Sequence, residues 1–198
     1  MSQSVARRNW IGYTTLVRKE VRRFMRIWVQ SLIPPAIITC LYFLIFGTII
    51  GSRVGTMGGF DYMQYIVPGL ILMSVITNSY SNVSSSFYST KFQRHIEEML
   101  VSPMPNWIII AGYVTGGVAR GLGVAVVVSA ASLAFAGLDV KHPILMVAVV
   151  VLTAILFSFA GFINALLARN FDDVTIMPTF VLTPLTYLGG VFYSVTLL

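Results

Sequence analysis

The sequence predicts an all-α fold: a polytopic helical membrane protein with an N-terminal interfacial amphipathic helix and five transmembrane helices. Three observations carry this. Hydrophobic residues fill 57% of the 198 positions and charged residues only 10%, against about 25% charged in an ordinary soluble domain. The mean hydropathy is +0.83. The uncharged residues also gather into long runs, 27–52, 62–90, 99–119, 121–138, 142–168 and 174–198. A soluble domain of this length has too much surface to cover with so few charges. A soluble enzyme, a disordered chain and a solvent-facing nucleic-acid binder are therefore excluded.

Residues 1–26 form a basic segment of their own. Arg7, Arg8, Arg18, Lys19, Arg22, Arg23 and Arg26 lie here with a single acid, Glu20, so this segment carries the whole formal charge of +6. Next to a long apolar run, such a block lies against anionic headgroups more often than against nucleic acid. Trp10, Tyr13, Val17, Val21, Phe24 and Trp28 follow one another at steps of three and four, one helical stripe. The pattern is that of a basic helix lying in the membrane interface, either as a simple anchor for the first span or with a further role.

A spanning helix needs roughly 20 mostly apolar residues. The remaining chain, 27–198, reads as one transmembrane domain with spans over about 27–50, 63–88, 107–136, 143–167 and 175–194. Pro34-Pro35 and Pro68-Gly69 near span starts predict local kinks. The third span joins two runs across Arg120, because Pro103 and Pro105 leave the first run too short to cross alone. Pro178 and Pro184 are expected to kink or open the fifth span. Ten basic residues fall on the side of the N-terminus and only Arg53 and Lys141 on the other. That bias predicts a cytoplasmic N-terminus.

Reaction chemistry is sparse. The sequence has no G-x-x-x-x-G-K-[ST] phosphate loop, no H-E-x-x-H and no G-x-S-x-G. His95 and His142 are far apart, and Cys40 is the single cysteine. Asp172-Asp173 admits two readings: a metal-assisted, lipid-modifying membrane enzyme, or an N-cap of the last helix favoured by its dipole. The cap is the plainer one. A non-transporting scaffold or a channel is the other alternative. Arg120 is the ionic residue within a span, and two roles fit it: anchoring near the headgroups, or contact with lipid or substrate.

Two stretches carry more information. In the second span Ser74, Asn78, Ser81, Asn82 and Ser85 share a face, which lipid tolerates poorly. It either packs against another helix or lines a path. Gly112, Gly116, Gly117 and Gly121 set small-xxx-small pairs into the third span. After the second span, Phe92, Ile96, Met99 and Leu100 make an apolar stripe, with Arg94, Glu97 and Glu98 off it and Pro103 ending the helix. Such a stripe needs a cover, either headgroups or a groove on a partner protein.

Ile96-Glu-Glu-Met-Leu-Val-Ser-Pro-Met-Pro105 resembles the segment after the second span in ABC-2 type permeases, the membrane subunits of one class of ATP-binding-cassette exporters. Tyr65-Ile-Val-Pro-Gly-Leu70 is similar to that family's start of the second span, and Thr179 to Ser194 to its fifth span and the turn outside it. Together with the basic helix, these cover nearly the whole chain in order. They most resemble short bacterial permeases that pair with a separate ATPase chain. The family pattern has six spans and a cytoplasmic C-terminus. Five are found here, so a truncated or fragmentary form lacking the sixth is expected.

The resemblance implies the remaining assignments. The chain would be a permease subunit in the bacterial inner membrane, not itself catalytic, holding no cofactor or metal. ATP and Mg would be bound by a nucleotide-binding ATPase partner. Residues 91–102 would form a coupling helix seated on that partner through Phe92, Arg94, Ile96, Glu97, Glu98 and Leu100. Two permease chains would face each other as a homodimer among membrane lipids, with Ser74, Asn78, Asn82, Ser85 and Thr183 lining a path. No nucleic acid is implied. The polar stripe and its aromatic neighbours suit drugs, lipids or lipid-linked sugars alike as the cargo.

Overall fold

The computed structural model describes residues 5–50, 55–57, 60–135 and 142–193. Arg53, Lys141 and the expected last residues of the third and fifth spans, 136 and 194, lie outside these. Helix α1 (Val5–Arg26) ends with Arg23 and Arg26 in its last turn, where the helix dipole favours cations. The first span opens as α2 (Trp28–Tyr42) and continues as a π-helical stretch, Phe43–Ile50. Two short antiparallel strands follow, β1 (Thr56–Met57) and β2 (Phe60–Asp61), with Thr56 opposite Asp61.

The second span is α3 (Tyr62–Phe92), which runs on to Phe92 rather than stopping at 88. Then come α4 (His95–Val101), α5 (Asn106–Phe135) and α6 (Pro143–Leu167). The third span is one continuous helix through Arg120, as its sequence suggests. Among the described residues four helices are long and apolar enough to cross a membrane: Trp28–Gly47, Tyr62–Phe92, Asn106–Phe135 and Pro143–Leu167.

The fifth span differs from expectation. In place of one helix over 175–194 the chain forms α7 (Phe171–Met177), a π-helical stretch Pro178–Leu182, and α8 (Thr183–Leu188), then turns at Gly189-Gly190. Pro178 and Pro184 remove two backbone donors and crowd the preceding turn. Gly190, at φ 81°, takes the left-handed conformation that ends the run.

Helix α3 is the centre of the bundle, packed between α5 and α6, while α1 and α2 lie along α5. Two apolar cores result. One, at the α4 end, joins Leu16, Val83, Phe87, Tyr113, Phe162 and Val174. The other, toward the opposite end, joins Phe43, Ile66, Leu70, Val75, Val124 and Ala154. Between them lies a layer of small and polar residues. A side chain at Gly117 would meet Val83 and Ser158, and one at Gly161 would meet the Tyr80 backbone carbonyl. Lipid tails give helices no hydrophobic reason to associate, so such close backbone packing supplies the attraction instead.

Candidate functional site

The interfacial helix is more deeply engaged than its apolar stripe suggests. Trp10 and Trp28 are exposed, and the buried face is Leu16, Glu20 and Phe24, turned part-way round from the predicted one. Glycines on α5 create the seat: a Cβ on Gly112 would meet the Leu16 side chain, and one on Gly116 would come 2.6 Å from Glu20 Cβ.

Glu20 is fully buried at 0% exposure. Its Oε2 accepts a hydrogen bond from Ser86 Oγ at 2.7 Å and lies 3.4 Å from Arg23 Nη2. The same Nη2 donates to Asn82 Oδ1 at 2.9 Å and to the Asn82 carbonyl at 3.0 Å. Four residues back along α3, Arg120 Nη2 donates to Asn78 Oδ1 at 3.4 Å. A charged lattice therefore ties α1 and α5 to the polar face of α3. Glu20 and Arg23 were missed from the sequence as site residues, since a lone acid among seven bases reads as a solvated charge. The signal was the Gly112 and Gly116 spacing, which invites a second helix.

The polar face of α3 is consequently divided. Asn82 is buried under Arg23, whereas Ser74 and Asn78 are half-buried and Ser85 is exposed. Ser85 Oγ donates to the Ser81 carbonyl at 2.6 Å, and Asn78 Nδ2 to the Ser74 carbonyl at 2.9 Å. Thr183 is exposed on α8, its hydroxyl donating to the Pro178 carbonyl, which also accepts the Thr183 amide in the π-helical turn. At that end of the bundle the segment after α8 folds back on the first span. Tyr42 and Tyr187 share a hydroxyl–hydroxyl hydrogen bond of 2.6 Å, and Phe192 stacks on Phe46 at 4.4 Å.

The segment after the second span departs from its predicted bounds. Phe92 closes α3, Arg94 adopts φ 61°, and a separate helix α4 covers only His95–Val101. A non-glycine residue in the left-handed region is uncommon and marks a sharp turn. The predicted stripe is split by it. Ile96 and Met99 pack inward on the core near Leu16, while Leu100 points outward. Phe92 is 64% exposed and rests against Phe171 at 5.0 Å. Val101 is 86% exposed. Glu97 and Glu98 are exposed in the first turn of α4, where the dipole favours them. Lys91 locks the end of α3 by donating to the carbonyls of Leu166 and Ala168, both at 2.7 Å.

Of the acidic pair, which lies in the first turn of α7, Asp173 takes part in a cap, though the cap residue is a different one. Asn170 is the N-cap, its Oδ1 accepting from the Asp173 amide at 2.8 Å, and Asp173 Oδ2 reaches back to the Arg169 amide at 2.8 Å. Asp172 is exposed. Among the described residues no group of three or more His, Cys, Asp or Glu side chains could hold a metal ion.

The sequence profile of the ABC-2 type transporter family matches residues 12–198. The chain belongs to the ABC-2 type transporter family. It is 61% identical over 189 residues to the inner membrane transport permease YadH of Escherichia coli K12, covering 96% of this chain and 74% of the relative. It is also similar to nodulation protein J of Neorhizobium galegae, 23% identical over 190 residues and spanning 94% of this chain and 71% of that protein. Nodulation protein J of Rhizobium leguminosarum bv. trifolii is 25% identical over 193 residues. No solved structure matches. In an ABC-2 family member the two surfaces described, the α4 end and the polar face of α3, are the places to seek function.

Proposed function

We propose that this chain is the transmembrane permease subunit of an ABC-type exporter in a bacterial inner membrane, driven by ATP that a separate nucleotide-binding chain hydrolyses. The observation that carries this reading is α4. It is a short helix set off by the Arg94 turn, with no buried residue of its own and with Phe92, Leu100 and Val101 exposed beside it. An apolar surface of that kind is stable only when covered, and a groove on a partner covers it. ATP and Mg bind to that partner, and this chain binds neither.

In this reading the N-terminus, α4 and Arg169 face the cytoplasm, in line with the positive-inside bias. Phe92, Leu100 and Val101 supply apolar contacts to the ATPase. Glu97, Glu98 and Arg94 supply polar ones, and Ile96 holds α4 to the bundle. Two copies pair as a homodimer among membrane lipids. Ser74, Asn78, Ser85 and Thr183 face the path, whereas Asn82 belongs to the packing under α1. Arg120 contacts the path through Asn78. Closure of the ATPase pair pushes α4, and the load passes through the Lys91 clamp and the Glu20 lattice into α3, rocking the spans.

The test is co-purification. The permease and an ATPase encoded beside it are expressed together and solubilised gently. The pair is expected to stay together, and Glu97→Lys with Glu98→Lys, or Leu100→Asp, to release the ATPase while the permease remains folded. A permease that never retains an ATPase, with all three changes silent, overturns the reading.

A further inference from the structure

Three helices locate a membrane boundary beside the Glu20 lattice. The first span, Trp28–Gly47, is 20 residues long, about 30 Å at 1.5 Å per residue and so the thickness of the hydrocarbon core. On α3, about 20 residues separate Tyr62, just after Asp61, from Asn82, again about 30 Å. Helix α5, at about 45 Å, is longer than the core, and α1 runs beside its surplus, with Leu16 at Gly112 and Glu20 at Gly116. Arg120 follows one turn later on α5. Trp28 is exposed where the first span begins, as a tryptophan at the headgroup level is. Arg23, Asn82 and Arg120 therefore meet at the depth of lipid phosphates.

This level holds donors without acceptors. Arg23 and Arg120 each commit one Nη2 to an amide oxygen of α3, on Asn82 and Asn78. These two amides stand one helical turn apart, roughly 6 Å. Arg23 Nε, Arg120 Nε and Asn82 Nδ2 have no partner. Asn82 is fully buried, so water does not serve it from the surface. Positive charge is also in surplus. Glu20, the acid of this lattice, offsets one guanidinium, while Lys19 adds a further cation 3.9 Å from its Oε1.

A shielded donor without an acceptor costs free energy that a ligand recovers. Surplus positive charge selects an anion, and two neighbouring guanidiniums suit the several oxygens of one phosphate. The Arg23 side chain is 33% exposed and Arg120 is half-buried, so such a group reaches them from outside the bundle. We propose that Arg23, Arg120 and Asn82 form a binding site for one phosphate group, the phosphodiester of an anionic bilayer lipid such as phosphatidylglycerol. The lipid is a bound part of the protein's surroundings, and its site requires no ATPase partner.

The experiment uses the full chain alone, purified in a neutral detergent and released from micelles in a native mass spectrometer. The probes are phosphatidylglycerol and phosphatidylcholine of equal chain length. One phosphatidylglycerol per chain is expected to stay bound, about ten-fold more readily than phosphatidylcholine. Arg120→Gln lowers its retention about ten-fold, the loss of a charge-assisted partner. Asn82→Asp still accepts from Arg23 but sets a negative charge against the phosphate, and it abolishes retention. Arg8→Gln removes the same formal charge from an exposed position of α1 and changes nothing. Washing with excess inorganic phosphate leaves the lipid in place. Equal retention of the two lipids by the wild type overturns the proposal without recourse to any variant. So does an Arg8→Gln loss as large as that of Arg120→Gln, which would make the attraction a general one, or an Asn82→Asp protein that keeps its lipid. Displacement by inorganic phosphate would assign the site to the free ion and overturn the lipid as its occupant.

Discussion

Glu20 shows how much one residue decides. A carboxylate taken out of water costs several kcal/mol unless its charge and lone pairs are met. Here Ser86 and Arg23 meet Oε2, Lys19 Nζ lies 3.9 Å from Oε1, and Arg23 in turn reaches Asn82. Removing one member of such a set leaves the others stranded. Glu20→Ala is therefore expected to destabilise the protein by about 3 kcal/mol, read as a fall in the thermal midpoint of the detergent-solubilised protein. Glu20→Gln keeps an acceptor for Ser86 and is expected to cost less. Equal midpoints for wild type and Glu20→Ala would mean that the lattice does not hold α1. Arg23 stands three residues along the same helix, but neither the burial of Glu20 nor its bond to Ser86 was legible in the sequence. Ser86 lies 66 positions away, and only the fold brings it within 2.7 Å.

At the scale of elements, the long helices were readable and their interruptions were not. Spans one to four announce themselves through composition, since each must satisfy its backbone internally and present apolar side chains to lipid. The break at Gln93-Arg94 has no glycine or proline to signal it. It is imposed by Ile96 and Met99 packing back on the core. Pro178 and Pro184 did signal the interrupted fifth span, but not that the segment beyond it would turn so that Phe192 stacks on Phe46. Two predictions belong here. Asn170→Ala removes the cap of α7 and is expected to cost about 1 kcal/mol, against little change for Asp172→Ala, whose side chain is exposed; thermal unfolding compares them. Gly161→Val places a side chain against the Tyr80 carbonyl, a contact with backbone that cannot swing aside. It is expected to cost about 1–3 kcal/mol or more and to lower the yield of folded protein, measured by gel filtration.

For the whole molecule, every proposed role depends on which end faces which compartment. The ten-to-two distribution of basic residues predicts the answer. The helices give the geometry for testing it, since α4 and α7 share one end of the bundle while Thr56 sits between the first and second spans. In a Cys40→Ser background, single cysteines at exposed Thr56, Glu98 and Asp172 report the two sides. A membrane-impermeant maleimide added to intact spheroplasts is expected to label Thr56→Cys, and to reach Glu98→Cys and Asp172→Cys only after the membrane is opened. The pattern matters more than any one site. Labelling of Glu98→Cys and Asp172→Cys from outside, with Thr56→Cys protected, would place α4 away from ATP and remove the basis for coupling. Labelling of Glu98→Cys and Asp172→Cys from opposite sides would contradict the packing of α4 and α7 on one core. Only the expected pattern sets the basic helix, α4 and the Glu20 lattice together on the side where ATP is found.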